Sequence, residues 1–463
     1  MSWFLLILSI SLFNVDAIIS PPNAFLNISA EIFNQWRTLR AEFINSMNYS
    51  MGLPHFNCSR GAYEPAVSVH QLHPSHIGVI AALGDSVSVA QAAKSSSLSD
   101  ILLQYPGVSF VTGDDVALNE QSTLINIFRQ FSPNIKGGSS DRIRKFYDFN
   151  VAVPGSFSSE LPEQARKLAG LLKKKLGKDN SKLWKLLNIF IGHNDLCHIC
   201  QNETAFGPET FGKSVKSALS IIEATVPNVF VNIMAPINVQ IHTQAHNVSK
   251  FCELSHRKSC SCIFDLSKEE YSKIKERFDE QLKRVVQELN AKFHNSTTFT
   301  VVIAPAMDLK TIPTLGNQPN IGLLALDCFH LSTITHDIAA KQIWKGLFQP
   351  VHEKTVTDQT SVGFDRFVCP PQECPYIRTD LNSNVCNASK AVKALALGPY
   401  PASAESTQPP YIVPGFLLFL IGSALIILFV VAVIRRPSTS SEFSNERLYL
   451  LLPTRADLND NIF

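Results

Sequence analysis

Three short stretches of this chain hold side chains that could perform nucleophilic catalysis. Gly84-Asp85-Ser86-Val87 places a hydroxyl directly after a charge-free apolar run, 77–83. Gly192-His193-Asn194-Asp195 follows a second such run, 186–191, and Asp327-Cys328-Phe329-His330 lies far downstream. A Ser hydroxyl is a weak nucleophile and needs a base within hydrogen-bond reach. His330 could be that base, and Asp327 could fold back to bond its other ring nitrogen and set the tautomer. An Asn at a strand end, Asn194, offers an N–H donor on a short stem. Taken singly, each stretch has a plainer reading. Gly-Asp-Ser is a common turn, Asp327 could cap a helix beginning near His330, and Asn194 could satisfy local backbone.

The runs that must position these residues are uncharged and rich in branched side chains, as buried strands are. Strands are expected at 77–83, 147–153, 186–191, 229–234 and 298–304. Between them, helical spacing recurs at 161–176, 211–224, 268–293 and 336–347. Strands alternating with helices predict a parallel sheet covered on both faces, with ligands at the carboxyl ends of the strands. A further helical pattern covers 31–44, in a lead-in expected to pack on the core.

In combination, the three stretches resemble the blocks of the GDSL (SGNH) hydrolases. The tails of the second and third, Asn194-Asp195-Leu196-Cys197 and Asp327-Cys328-Phe329-His330-Leu331-Ser332, look closest to the animal membrane-associated phospholipase B branch. The resemblance runs over about 77–348. It implies an α/β fold, a three-layer α/β/α sandwich on a roughly five-stranded parallel sheet. It also implies Ser86 as nucleophile, His330 as base and Asp327 as its orienter. Three oxyanion donors follow from it: the backbone N–H of Ser86, the backbone N–H of Gly155 in Asn150-x-Ala152-x-x-Gly155, and the side-chain amide of Asn194. The implied reaction is ester hydrolysis through an acyl-enzyme, on glycerophospholipids and lysophospholipids, with no cofactor. Two departures bear on pocket shape: Val87 replaces the usual Leu, and His193 stands where relatives usually carry a second Gly. His193 could narrow the site or contact a substrate headgroup. An esterase for other acyl esters, or a catalytically idle binding protein, are the alternatives.

The remainder of the chain reads as an exported, anchored protein. Residues 1–17 are an apolar run ending in Val15-Asp16-Ala17, the form of a signal peptide. The stretch 411–434 carries no charge, is followed by Arg435 and Arg436, and is long enough to be read as a transmembrane helix. A GPI signal is the competing reading. The expected domains are thus 1–17 signal peptide, 18–76 helical lead-in, 77–365 hydrolase domain, 366–410 Cys/Pro-rich stalk, 411–434 membrane helix and 435–463 cytoplasmic tail, in a single-pass type I protein. All ten cysteines and seven glycosylation sequons, at Asn27, Asn48, Asn57, Asn202, Asn247, Asn295 and Asn387, precede the apolar stretch. That one-sidedness fits a lumenal or extracellular domain with disulfides. Cys197-x-x-Cys200 with His193 and His198, and Cys260-x-Cys262 with Cys252 and His256, have metal-like spacing, but disulfides suit an oxidising compartment better, so no metal site is expected. A net charge of +2 over 463 residues, without a basic patch, excludes nucleic acid as an expected partner. Glu446-x-x-x-Leu450-Leu451 has the form of a sorting signal, and the sequence leaves the oligomeric state open.

Overall fold

The charge-free runs form the centre of the protein in the computed structural model, which describes residues 28–61, 63–141, 148–305, 307, 309–354 and 367–386. Strands β1 (Ile77–Gly84), β2 (Trp184–Phe190), β3 (Val229–Met234) and β4 (Phe299–Ala304) pair in parallel, in the order β1-β2-β3-β4. Nearly every strand residue is buried, because both faces of the sheet are covered.

In chain order the helices are α1 (Ala30–Ser46), α2 (Leu124–Arg129), α3 (Leu161–Leu176), α4 (His193–His198), α5 (Glu203–Phe206) and α6 (Pro208–Thr225). They continue with α7 (Lys250–Ser259), α8 (Cys262–Asp265), α9 (Lys268–Lys292), α10 (Thr333–Leu347) and α11 (Asp380–Ser383). The period of two along β1 sorts its side chains between two separate cores. Val79, Ala81 and Leu83 join Leu168 of α3, Phe211 of α6 and Phe278 of α9. Ile80 and Ala82 join Trp36 of α1, Phe128 of α2 and Trp344 of α10. The result is three layers, helices on each side of a sheet. The amphipathic pattern of α9 is set at its start by a capping box, with Ser267 and Glu270 each bonding the other's backbone N–H.

Three expectations need correction. The sheet has four strands rather than five. The segment expected as a strand at 147–153 follows the outer edge of β1, where Val151 N–H donates to Ala82 O (3.0 Å) and Val153 N–H to Gly84 O (3.1 Å), with a single bridge at Asn150. Asp148 turns there at φ +39° and Pro154 lacks an N–H, so no regular ladder forms. The transmembrane helix is not supported. Among the described residues no helix is long and apolar enough to cross a membrane, and 411–434 itself lies outside them. Finally, the first half of the expected stalk is part of the folded body. Cys369 is bonded to Cys58, Ile377 N–H donates to Leu72 O (2.7 Å), and Ile377 is fully buried. The expected signal peptide, the rest of the stalk and the tail lie outside the described residues.

All ten cysteines pair: Cys58–Cys369, Cys197–Cys260, Cys200–Cys262, Cys252–Cys328 and Cys374–Cys386. Of the cysteines with metal-like spacing, Cys197 and Cys200 are thus joined to Cys260 and Cys262, linking the α4 region to the segment before α9, while Cys252 is joined to Cys328. The sequon residues Asn48, Asn57, Asn202, Asn247 and Asn295 are exposed, while Asn27 and Asn387 fall outside the described residues.

The lead-in is fastened to α10 by one buried carboxylate. Asp337 accepts from the backbone N–H of Gly52 (2.8 Å) and Ser122 (2.5 Å) through one oxygen, and from Tyr49 Oη–H (2.6 Å) and Lys341 Nζ (2.8 Å) through the other. Asp337→Ala strands those donors inside the protein and should lower stability by about 3 kcal/mol. Denaturant unfolding checks this; a change below about 0.5 kcal/mol, the range of a surface substitution, would mean the carboxylate is not the fastening.

Candidate active site

The carboxyl end of β1 turns sharply, and the side chain of Gln164 on α3 holds that turn. Gln164 accepts from Gly84 N–H (2.9 Å) and donates to Gly84 O (2.8 Å). Gly84 admits no side chain, since a Cβ would lie 2.3 Å from Phe190 O and 2.4 Å from Ser88 Oγ. The next residue, Asp85, is fully buried; one oxygen accepts from Val87 N–H (3.0 Å) and the other meets His193 Nδ1 (2.7 Å). These bonds fix the backbone around Ser86.

Ser86 Oγ lies 2.8 Å from His330 Nε2, and His330 Nδ1 lies 2.5 Å from Asp327 Oδ2. A carboxylate can only accept, so the His330 proton sits on Nδ1 and the Nε2 lone pair faces the Ser86 hydroxyl. The other Asp327 oxygen accepts from the backbone N–H of Phe329 and His330, both at 3.0 Å. Burial pushes the Asp327 carboxyl up, but His330 and the two N–H bonds outweigh it and hold the group below the ordinary carboxylate value. The helix-cap reading of Asp327 does not hold, because α10 begins at Thr333 and is capped by Ser332.

A second arm approaches along the outer edge of β1. The Asn150 amide donates to Ser88 O (2.9 Å) and Thr112 Oγ1 (3.0 Å), anchoring the block that ends at Gly155. Gly155 adopts φ +76°, which favours glycine, and its Cβ position is open for at least 4 Å. The Asn194 amide, at the start of α4, donates to Ser156 O (2.9 Å), so Asn194 and the Gly155 loop meet. An amide has two N–H groups; this contact uses one and leaves one to offer. Asp195 secures the same junction by accepting from Ser158 N–H (2.9 Å) and Oγ–H (2.7 Å), and burial pushes its carboxyl up to about 6.

The structure thus links Ser86, His330 and Asp327 in one hydrogen-bonded chain and brings Gly155 and Asn194 together on the arm that runs along β1. Ser88, the neighbouring hydroxyl, is fully buried and has no hydrogen-bond partner among the described residues. His193, read as able either to narrow the site or to contact a headgroup, is buried, with Nδ1 bonded to Asp85 and its ring packed edge-on against Phe190. Sequence reasoning missed Gln164 and the Asp85–His193 pair. The available signal for Gln164 was its place on the otherwise apolar stripe of α3; nothing local marked the partner of Asp85.

The profile of the family described as GDSL-like Lipase/Acylhydrolase matches residues 80–343, which include both arms and the base loop. The chain is 33% identical over 358 residues to rat "Phospholipase B1, membrane-associated", covering 74% of this chain and 24% of the relative. It is 34% identical over 357 residues to the mouse protein of that name, with the same coverage. It is 32% identical over 329 residues to the human one, covering 68% of this chain and 22% of the relative. The chain spans about a quarter of the length of these curated relatives.

The contrast between the two serines is testable on stability as well as chemistry. The Ser88 hydroxyl is buried without a partner among the described residues, so Ser88→Ala should cost nothing and could gain up to about 1 kcal/mol. Turnover of a short-chain ester should stay within about twofold of wild type, a change worth less than about 0.5 kcal/mol in the barrier. Loss of activity in a folded Ser88→Ala protein would place the chemistry at the wrong serine.

Proposed function

The chain belongs to the GDSL-like lipase/acylhydrolase family, a family of carboxylic ester hydrolases, and we propose that it cleaves fatty-acyl esters of glycerophospholipids and lysophospholipids. The reading is carried by one observation, the Ser86–His330–Asp327 chain with contacts of 2.8 and 2.5 Å. The lipid character of the substrate is supported by the likeness to proteins named membrane-associated phospholipase B1, of whose length this chain spans about a quarter.

In this reading Ser86 Oγ attacks the ester carbonyl carbon while His330 Nε2 takes the hydroxyl proton. Asp327 holds the imidazole and stabilises the imidazolium that forms. Negative charge gathers on the former carbonyl oxygen, where the Ser86 and Gly155 backbone N–H groups and the free N–H of Asn194 would receive it. Donors fixed in place before the reaction cost no reorganisation when charge develops, and one such donor is typically worth ~10²–10³ in rate. The tetrahedral intermediate collapses, the C–O bond to glycerol breaks, and His330 returns its proton to the departing alcohol. A water, deprotonated by His330, then cleaves the acyl-Ser86 ester and frees the fatty acid. Each step uses one proton on one ring, so the chemistry needs no further group.

The test is fatty-acid release from phospholipid and lysophospholipid vesicles, divided by the number of sites titrated with a serine-directed fluorophosphonate. The expected outcome is release from both lipids by wild-type protein. Turnover confined to acetyl or other short-chain esters would overturn the phospholipid assignment and leave the family chemistry standing.

A further inference from the structure

The base loop carries an unusual share of backbone carbonyls satisfied by side chains from elsewhere. Asp327 O accepts from Ser255 Oγ–H at 2.8 Å. Cys328 O lies 2.8 Å from His256 Nε2, and Phe329 O lies 2.9 Å from His242 Nε2. Three consecutive carbonyls beside the base thus meet side chains from a single segment, 239–259, which lies between β3 and α9. That segment is also bonded covalently to the loop through Cys252–Cys328. Cys328 has φ +60°, a conformation a non-glycine residue holds only when its surroundings impose it.

The His246–His256 pair has a defined direction. His256 Nδ1 lies 2.8 Å from His246 Nε2. Since Cys328 O can only accept, His256 carries its proton on Nε2, and its Nδ1 accepts from His246. Burial keeps His256 neutral, with its pKa pushed down to about 3, so a single tautomer is held at ordinary pH. His242 lies between Phe329 O and Val239 O (2.8 Å from Nδ1); burial keeps the ring neutral, so its single N–H serves one of the two carbonyls, and its hold on Phe329 includes the stacking of the two rings. The lead-in helix braces the same loop: Trp36 Nε1–H donates to Leu326 O (2.8 Å), and Trp36 stacks on Phe251 of α7.

We infer that Ser255, His256 and His242 are positioning residues that clamp the Asp327–His330 loop from behind and hold His330 in line with Ser86. The two histidines touch neither Ser86 nor the His330 ring at hydrogen-bond distance; they act through the backbone on which the base is mounted. Asp327 and His330 are only three residues apart, so a shift of any one of these carbonyls turns the carboxylate, the ring, or both. A misplacement of about 1 Å at a reacting group can cost ~10²-fold in rate. This inference rests on the hydrolase reading of the site.

The experiment compares wild type, Ser255→Ala, His256→Phe and His256→Gln on a soluble short-chain ester. Rates are expressed per fluorophosphonate-titrated site, with KM and the thermal midpoint measured for each. His256→Phe removes the donor, whereas Gln can place an N–H close to the former Nε2. His256→Phe should lower kcat per site by about 10–100-fold with KM within about twofold, and His256→Gln should recover most of the loss. Ser255→Ala, which deletes only a hydroxyl, should lower kcat by roughly threefold or more and decides the matter if His256→Phe does not fold. Folded variants with unchanged kcat per site would overturn the clamp, as would a loss confined to the number of titratable sites. Wild-type protein that neither labels nor turns over would instead overturn the hydrolase reading.

Discussion

Everything at this site depends on how the two oxygens of Asp327 are divided. One is spent on the backbone N–H groups of Phe329 and His330, which curls the loop; the other faces His330 Nδ1. The same carboxylate therefore makes the turn and orients the ring that turn carries. Were it protonated, it would lose an acceptor on one side, so its charge has to survive burial. His330 and the two N–H groups make that possible by holding the carboxyl below its ordinary value despite its burial.

The rest of the fold brings three remote segments to the end of one strand. Ser86 follows β1, Asn194 follows β2, and His330 lies 244 residues beyond Ser86. A parallel sheet gathers strand ends at one edge, which is why residues so separated can meet. Gln164 contributes from the opposite helical layer by taking both backbone groups of Gly84. Segments outside the alternating framework, α1 and 239–259, are devoted largely to the base loop. The framework thus carries Ser86, Gly155 and Asn194, and the additions hold the loop that carries Asp327 and His330.

Most of the sheet was legible in the sequence because its strands lie in apolar runs, interrupted by charge only at Lys185 near the start of β2. The start and end of α3 and the span of β3 coincide with their expected bounds, since Pro162 at the start of α3 and apolar spacing within it are local signals. The candidate site residues stand out in the sequence for a different reason, each lying in a short motif, and the structure puts Ser86, His330 and Asp327 within hydrogen-bond reach of one another. What could not be read were pairings over distance: which cysteine meets which, what Asp85 bonds, and what satisfies the carbonyls at 327–329. The strand expected at 147–153 misled because alternation of apolar residues does not reveal that Asp148 turns left-handed and Pro154 cannot donate. The stalk misled because its Cys and Pro content resembles a linker, while Cys58–Cys369 and the burial of Ile377 bind its first part to the core. The membrane helix rested on the length and neutrality of 411–434 and on the arginines that follow it; that stretch lies outside the described residues, and no helix among these is long and apolar enough to cross a membrane.

The central claim is that Ser86 becomes acylated in turnover. Acid quenching during hydrolysis of an ester substrate, followed by proteolysis and mass spectrometry of the peptides, tests it most directly. The account predicts a peptide carrying the acyl group on Ser86, with occupancy that rises and then decays as substrate is consumed. An acyl group found on another residue, or turnover with rapid quenching that never captures an acylated peptide, would contradict it.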